Sequence, residues 1–148
     1  MVVDDEYGTP DDLFKQVCEF HSVTPELDVC ADKLNRKCNM YLSDALNEDW
    51  TAAVWCNPPH SKTKQFVQKA YEQWMKHNID ILLIIPANSI CTKYAELYIK
   101  NNATITPIYG RPRFLKDGKP SKYPSRNSYF SVCYHKRNYT SRKEKLNH

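Results

Sequence analysis

The stretch Ala52-Ala53-Val54-Trp55-Cys56-Asn57-Pro58-Pro59-His60 decides how the chain is read. Its first half is a short apolar run, which suits a buried strand. Its second half is a stop, because two adjacent prolines lack N–H donors and fix the backbone. A strand that halts in this way delivers Asn57 to the edge of a sheet. Immediately downstream, Phe66, Val67, Ala70, Tyr71, Trp74 and Met75 recur at helical spacing and predict an amphipathic helix. Ile79 to Ile85 follows without polar alternation, the pattern of a strand covered on both faces. A strand, a helix and a second buried strand predict a parallel pair.

The same alternation extends outward. Thr9-Pro10-Asp11-Asp12 reads as a helix start, with Thr9 accepting from first-turn amides, Pro10 at the first helical position and two acids at the positive dipole end. Leu13, Phe14, Val17 and Cys18 continue that helix. Val23 to Val29 is β-like and leads into Asp28-Val29-Cys30-Ala31. Thr92 to Lys100 has a helical pattern, with Tyr94, Leu97 and Tyr98 on one side. Ala103 to Ile108 and Ser128 to Tyr134 read as strands, and residues 109 to 127 as a loop or twisted hairpin. The expectation is one α/β domain over residues 1 to 134, built on a mainly parallel sheet, with ligands beyond the carboxyl ends of its strands. Residues 135 to 148 read as a basic, flexible tail.

Composition narrows the classes. The apolar share is 41% and the chain has 148 residues, enough for one core. No apolar run approaches the roughly 20 residues that span a bilayer, and the start lacks a signal-peptide pattern. A cytoplasmic protein without a membrane segment is expected. The six cysteines form no C-x-x-C pair, so neither a metal site nor disulfides are expected, only reduced thiols. Net charge is +4, but residues 1 to 50 hold 4 basic and 12 acidic side chains, whereas residues 51 to 148 hold 17 and 5. A polyanionic partner would meet the second half.

Asn57 to His60 carry the chemistry. An amino group on an aromatic ring is a weak nucleophile, because its lone pair is delocalised. The Asn57 side-chain oxygen and the Pro58 carbonyl are fixed acceptors for its hydrogens, which would concentrate that lone pair. The flat ring of His60 would stack on the base. The acceptor logic leaves the planar amino group open: that of adenine, cytosine N4, an RNA base or a protein glutamine amide would all answer to it. A DNA-binding module with lapsed catalysis is the alternative from a different class.

These pieces, taken in order, resemble the phage-type Dam family of DNA N6-adenine methyltransferases. The resemblance runs over roughly residues 5 to 135. It is carried by Tyr7-Gly8-Thr9-Pro10 with Leu13-Phe14, Leu27-Asp28-Val29-Cys30-Ala31, Asn35 and Cys38, and Asp44-Ala45-Leu46 with Trp50. Asn57-Pro58-Pro59 with Phe66-Val67, and Gly110-Arg111-Pro112-Arg113-Phe114, complete it.

The resemblance implies a Rossmann-like methyltransferase fold with an antiparallel edge strand. It further implies S-adenosylmethionine as cofactor, adenine in DNA as substrate, no metal, and a phage or mobile-element connection. Thr9, Pro10, Asp28, Cys30, Ala31, Asp44 and Leu46 would hold the cofactor, and Asn57, Pro58, Pro59 and His60 would be catalytic. On residues alone, Asp28 could instead be a plain helix cap and Asp44 a turn residue. Ser61, Lys62, Lys64, Arg111, Arg113, Lys116 and Arg126 are the expected DNA contacts, with Phe114, Tyr109 and Tyr123 interleaved. The oligomeric state is left between monomer and homodimer. The chain departs from the family at His60, where Tyr or Phe is usual. The cofactor loop has no glycine, a lack the phage-type family shares.

Overall fold

Strand β4, Ile81–Pro86, is buried at every residue, because it packs on both faces. Ile81, Leu83 and Ile85 join one core cluster, whereas Leu82 and Ile84 join another. A computed structural model describes residues 8–31, 36–116 and 118–137. Tyr7, Asn35 and most of the predicted tail (residues 138 to 148) lie outside the described residues.

The remaining strands are β1 (Leu27–Asp28), β2 (Met40–Tyr41), β3 (Val54–Cys56), β5 (Thr104–Ile108), β6 (Leu115–Lys116), β7 (Lys119–Pro120) and β8 (Tyr129–Tyr134). Six of them form one sheet in the order β2-β1-β3-β4-β8-β5. The pairs β2–β1, β1–β3 and β3–β4 are parallel. Strand β8 runs antiparallel to both β4 and β5. The expected antiparallel strand is therefore present, but one place in from the edge. The edge belongs to β5, which tolerates Pro107 because an edge strand has one unpaired side. The interior position of β8 explains why it is buried throughout.

Helix α1, Asp11–His21, covers one face of the sheet and helix α2, Thr63–His77, the other. Leu13 and Val17 pack with Trp55, Leu82, Ile84, Tyr129 and Cys133. Phe66, Val67 and Ala70 pack with Val54, Ile81, Leu83, Val132 and Tyr134. Burial of such side chains contributes roughly 1.5–3 kcal/mol each. Ser22 and Asn78 end the two helices in left-handed conformation, at φ 57° and 51°.

Several local expectations change. Pro10 occupies the N-cap of α1 and no side chain caps the helix, so Thr9 is free for another role. The β-like run from Val23 contributes only Leu27 and Asp28 to the sheet. In α2, Met75 is exposed and Gln73 is fully buried. Gln73 earns that place by accepting from the Trp50 amide at 2.7 Å. Only Glu96–Ile99 (α3) of the predicted third helix is α-helical, after 3-10 turns at Ala87–Cys91 and Lys93–Ala95. Residues 109 to 127 contain the predicted hairpin, β6 paired with β7. The described cysteines are free thiols, with Cys56 and Cys133 buried and Cys91 exposed. No described helix is long and apolar enough to cross a membrane.

Candidate active site

Strands β1 and β3 run side by side and in register, Asp28 opposite Trp55. Both leave the sheet at the same carboxyl edge, which puts the loop after Asp28 beside Asn57. Asp28 closes that loop on itself. One carboxylate oxygen accepts from the Cys30 amide at 3.1 Å and the other from the Lys37 amide at 2.9 Å. Burial raises Asp28 to about 6, and the two amides offset only part of that effect. Neither a helix cap nor a free carboxylate describes it; the side chain staples both ends of the loop.

Cys30 Sγ lies 3.6 Å from Cys56 Sγ. Burial and this neighbour hold the Cys30 thiol well above its ordinary pKa, so it remains protonated. Asn57 Nδ2 donates to Thr9 Oγ1 at 3.0 Å. The N-terminal segment is held there by the hairpin, through paired backbone hydrogen bonds between Gly8 and Leu115 at 2.8 and 2.7 Å. Phe114, read from sequence as part of the DNA-facing surface, is instead buried against Tyr129, with ring centroids 4.9 Å apart. It anchors the hairpin to the core.

A small cleft is lined by Gly8, Thr9, Asp28, Cys30, Lys37, Trp55 and Asn57. Four of the sequence-predicted residues, Thr9, Asp28, Cys30 and Asn57, are thus brought together. Lys37 and Trp55 were not foreseen as lining. Lys37 has no motif around it; its ammonium pairs with Asp11 at 2.6 Å across the loop. Pro10, Ala31, Asp44 and Leu46 are not among the lining residues. Asp44 is exposed past the end of β2, where its carboxylate accepts from Asn47 at 3.0 Å, the turn arrangement that the residues alone also allowed. Leu46 packs against the core.

Pro58 is buried and Pro59 half-buried, and His60 opens the 3-10 turn His60–Lys62 that feeds α2. The His60 ring is tilted 48° to Tyr129, and His60 Nε2 is hydrogen-bonded to the Tyr129 hydroxyl. Ser125 also reaches that hydroxyl, at 3.3 Å. Tyr129 is a third residue that the sequence reading did not single out, because its strand looked purely structural. Ser61, Lys62, Lys64, Arg111, Arg113, Lys116 and Arg126 are all exposed. Arg113 donates to the Lys122 carbonyl and so braces the hairpin. Tyr109 and Tyr123 are 92% and 70% exposed, large aromatic surface left in solvent beside these cations.

The fold and the site define an α/β protein with a small polar cleft at the carboxyl ends of parallel strands and an Asn-Pro-Pro-His turn at its lip. The chain matches the DNA N-6-adenine-methyltransferase (Dam) family over residues 1–147 and belongs to that family. It is 27% identical over 108 residues to the DNA N-6-adenine-methyltransferase of Haemophilus phage HP1 (strain HP1c1), an alignment covering 70% of this chain and 62% of the relative. It is 36% identical over 76 residues to the DNA N-6-adenine-methyltransferase of Escherichia phage T1, covering 48% of this chain and 32% of the relative. The chain thus spans less than two thirds of the length of either relative.

Proposed function

We propose that the protein transfers a methyl group from S-adenosylmethionine to the exocyclic N6 of adenine in DNA. The observation that carries this reading is the fixed Asn57. Its amide nitrogen is committed to Thr9, which turns the amide oxygen to the other side as an acceptor. Together with the carbonyl of Pro58, that oxygen would take the two hydrogens of a ring-bound amine and draw the nitrogen toward tetrahedral geometry. Acceptors that are already oriented need no reorganisation as charge develops on the nitrogen. The family and the two phage relatives support adenine in DNA as the substrate. An adenine in a duplex must leave the stack to reach Asn57, and His60 at the lip of the site would pack on it.

The groups that line the small cleft suit the amino-acid end of a zwitterionic, cationic cofactor. They combine a carboxylate at Asp28, an ammonium at Lys37 and neutral hydrogen-bonding groups at Thr9 and Cys30. Thr9, Pro10, Asp28, Cys30 and Ala31 would hold the amino-acid end, and Asp44 and Leu46 the adenosine end beyond β2. When bound, S-adenosylmethionine supplies an electrophilic methyl group on sulfonium. The parallel strands, the helix on each face and the cleft at the carboxyl edge support a Rossmann-like methyltransferase fold. No metal is required for this chemistry.

The test is transfer of labelled methyl groups to DNA and to RNA, followed by nucleoside analysis. Label in N6-methyladenine from DNA is the expected result. Label only in a cytosine, an RNA nucleoside or protein would replace the substrate assignment, and cofactor binding without transfer would favour a lapsed enzyme.

A further inference from the structure

We propose that His21, Cys133 and His135 form a binding site for a divalent transition-metal ion, with zinc the ion their chemistry suits best. The site lies at the end of the sheet opposite the cleft, and the proposal does not depend on the methyl-transfer reading.

Strand β8 places it. Ser131 and Cys133 project from alternate positions toward α1, and His135 follows in the same alternation just past the strand. Cys133 is paired with Leu82 and Tyr134 with Ile81, the first residue of β4. Cys133 and His135 therefore sit at the amino edge of the parallel strands. Helix α1 starts beside the cleft at Asp11 and brings its last residue, His21, to that opposite edge.

One ligand atom from each of the three residues lies within 4.8 Å of the other two, the one such group found among the described residues. His21 is 2% exposed and Cys133 fully buried. His21 Nε2 is engaged by Ser131 Oγ at 2.8 Å, and its buried Nδ1 has no hydrogen-bond partner. A buried ring nitrogen without a partner is costly unless something else occupies its lone pair. A metal ion would do so, with the Ser131 contact fixing the tautomer.

The donor set is two imidazoles and one thiol, three ligands that zinc would accept in tetrahedral geometry with a water molecule as the fourth. Zinc–ligand lengths of about 2.0–2.3 Å place ligand atoms roughly 3.5 Å apart. The cluster would need to contract by about 1 Å, within reach of small side-chain rotations. Asp80 Oδ1, which accepts from the Lys136 amide at 2.8 Å, lies 3.9 Å from His135 Nδ1, beyond hydrogen-bond distance, and would orient a ligating histidine only after a small approach. Binding would release the Cys133 proton and pin the end of α1 to β8.

The experiment is a titration of the chelator-treated, reduced chain with Co2+, followed by Zn2+. One equivalent of cobalt should give a thiolate-to-cobalt charge-transfer band in the near ultraviolet, bleached by zinc, and zinc should raise the Tm. Cys133→Ala should lose the band. Because that change lies in the middle of the core, His135→Gln provides a second probe at a half-buried position past the strand. It should weaken cobalt binding at least tenfold in a chain whose circular dichroism matches wild type. Cys91→Ser, which alters the exposed thiol, should leave the band unchanged. The proposal is overturned by absence of the band in wild type, by its loss in Cys91→Ser, or by unaltered cobalt affinity in a folded His135→Gln chain.

Discussion

Thr9 and Asn57 are 48 positions apart in sequence, and the Asn57 side-chain amide donates to the Thr9 hydroxyl at 3.0 Å. Thr9 is 3% exposed, so this bond is sheltered from competing water. It links the N-terminal segment to the turn that follows β3. The Gly8–Leu115 bridge extends the link to the hairpin at β6. One short path thus joins the exposed cationic hairpin, the cleft and the proposed catalytic amide.

Thr9→Val keeps the shape of the side chain but removes the acceptor. Loss of a hydrogen bond of about 1 kcal/mol should lower kcat roughly fivefold, by releasing the Asn57 amide from one orientation. Thr9→Ser should restore most of it. Steady-state kinetics on DNA decides the matter; equal kcat in Thr9→Val and wild type would show that Asn57 is oriented by something else.

Asn57→Ala should go further and remove the acceptor itself. A loss on the order of 10²-fold or more in transfer is expected, with cofactor affinity nearly unchanged. Single-turnover transfer and equilibrium binding of S-adenosylmethionine measure the two separately. Near-normal transfer by this variant would sink the proposed mechanism.

How much of this was legible in the sequence depends on whether a signal was local. Asn57-Pro58-Pro59 sat after a visibly buried strand, and the structure puts it at a strand exit. Strand β4 was evident from its apolar run and β8 from its alternation, although β8 is buried at every residue. Gln73 and Met75 were exchanged in the expected burial pattern, because a polar side chain can be buried when a distant amide, that of Trp50, meets it. Phe114 looked like a surface aromatic because its neighbours are cations, yet its ring packs on Tyr129. The cluster of His21, Cys133 and His135 had no local signature at all, since its members come from opposite ends of the chain.

His60 belongs to the lip of the site, and its bond to Tyr129 sets the tilt of its ring. His60→Ala should lose base packing and reduce transfer about tenfold or more, since aromatic stacking on a base is worth roughly 1–3 kcal/mol. His60→Tyr should keep or raise activity. Tyr129→Phe keeps the aromatic packing on Phe114 but frees His60, and should raise KM for DNA more than it lowers kcat. An active His60→Ala chain beside an inactive His60→Tyr chain would refute the stacking role.

Asp28 gives a pH dependence with a definite sign. Its folded-state pKa is raised from 3.8 to about 6, mainly by burial. Between those values the folded chain holds a proton that the unfolded chain has released. Stability from this group is therefore largest below about pH 4, falls as pH rises through 4 to 6, and is level above. The change is on the order of 3 kcal/mol by linkage. Asp28→Asn should remove this component, so urea unfolding at a series of pH values should show a wild-type minus variant difference that declines across that window. A difference independent of pH would mean that Asp28 titrates normally.

Arg111 and Arg113 were both expected DNA contacts, and the structure gives them different surroundings. Arg113 is spent on the Lys122 carbonyl and braces the hairpin. Arg111 is exposed beside Gly110, which holds a left-handed turn at φ 75°. Arginine reads guanine by paired hydrogen bonds in the major groove, each good pair worth about 1–3 kcal/mol of discrimination. Arg111→Ala should therefore change which adenines are methylated. Arg113→Ala should loosen the hairpin and weaken methylation at all sites alike, because a mobile cationic surface binds phosphates less well but keeps its base-reading group. Mapping of methylated adenines in DNA exposed to each variant distinguishes the two effects. Recognition is predicted to be short or relaxed, since the hairpin is the main exposed cationic element among the described residues. A long, strict site unaltered in Arg111→Ala would show that sequence is read by another part of the surface or by a second subunit.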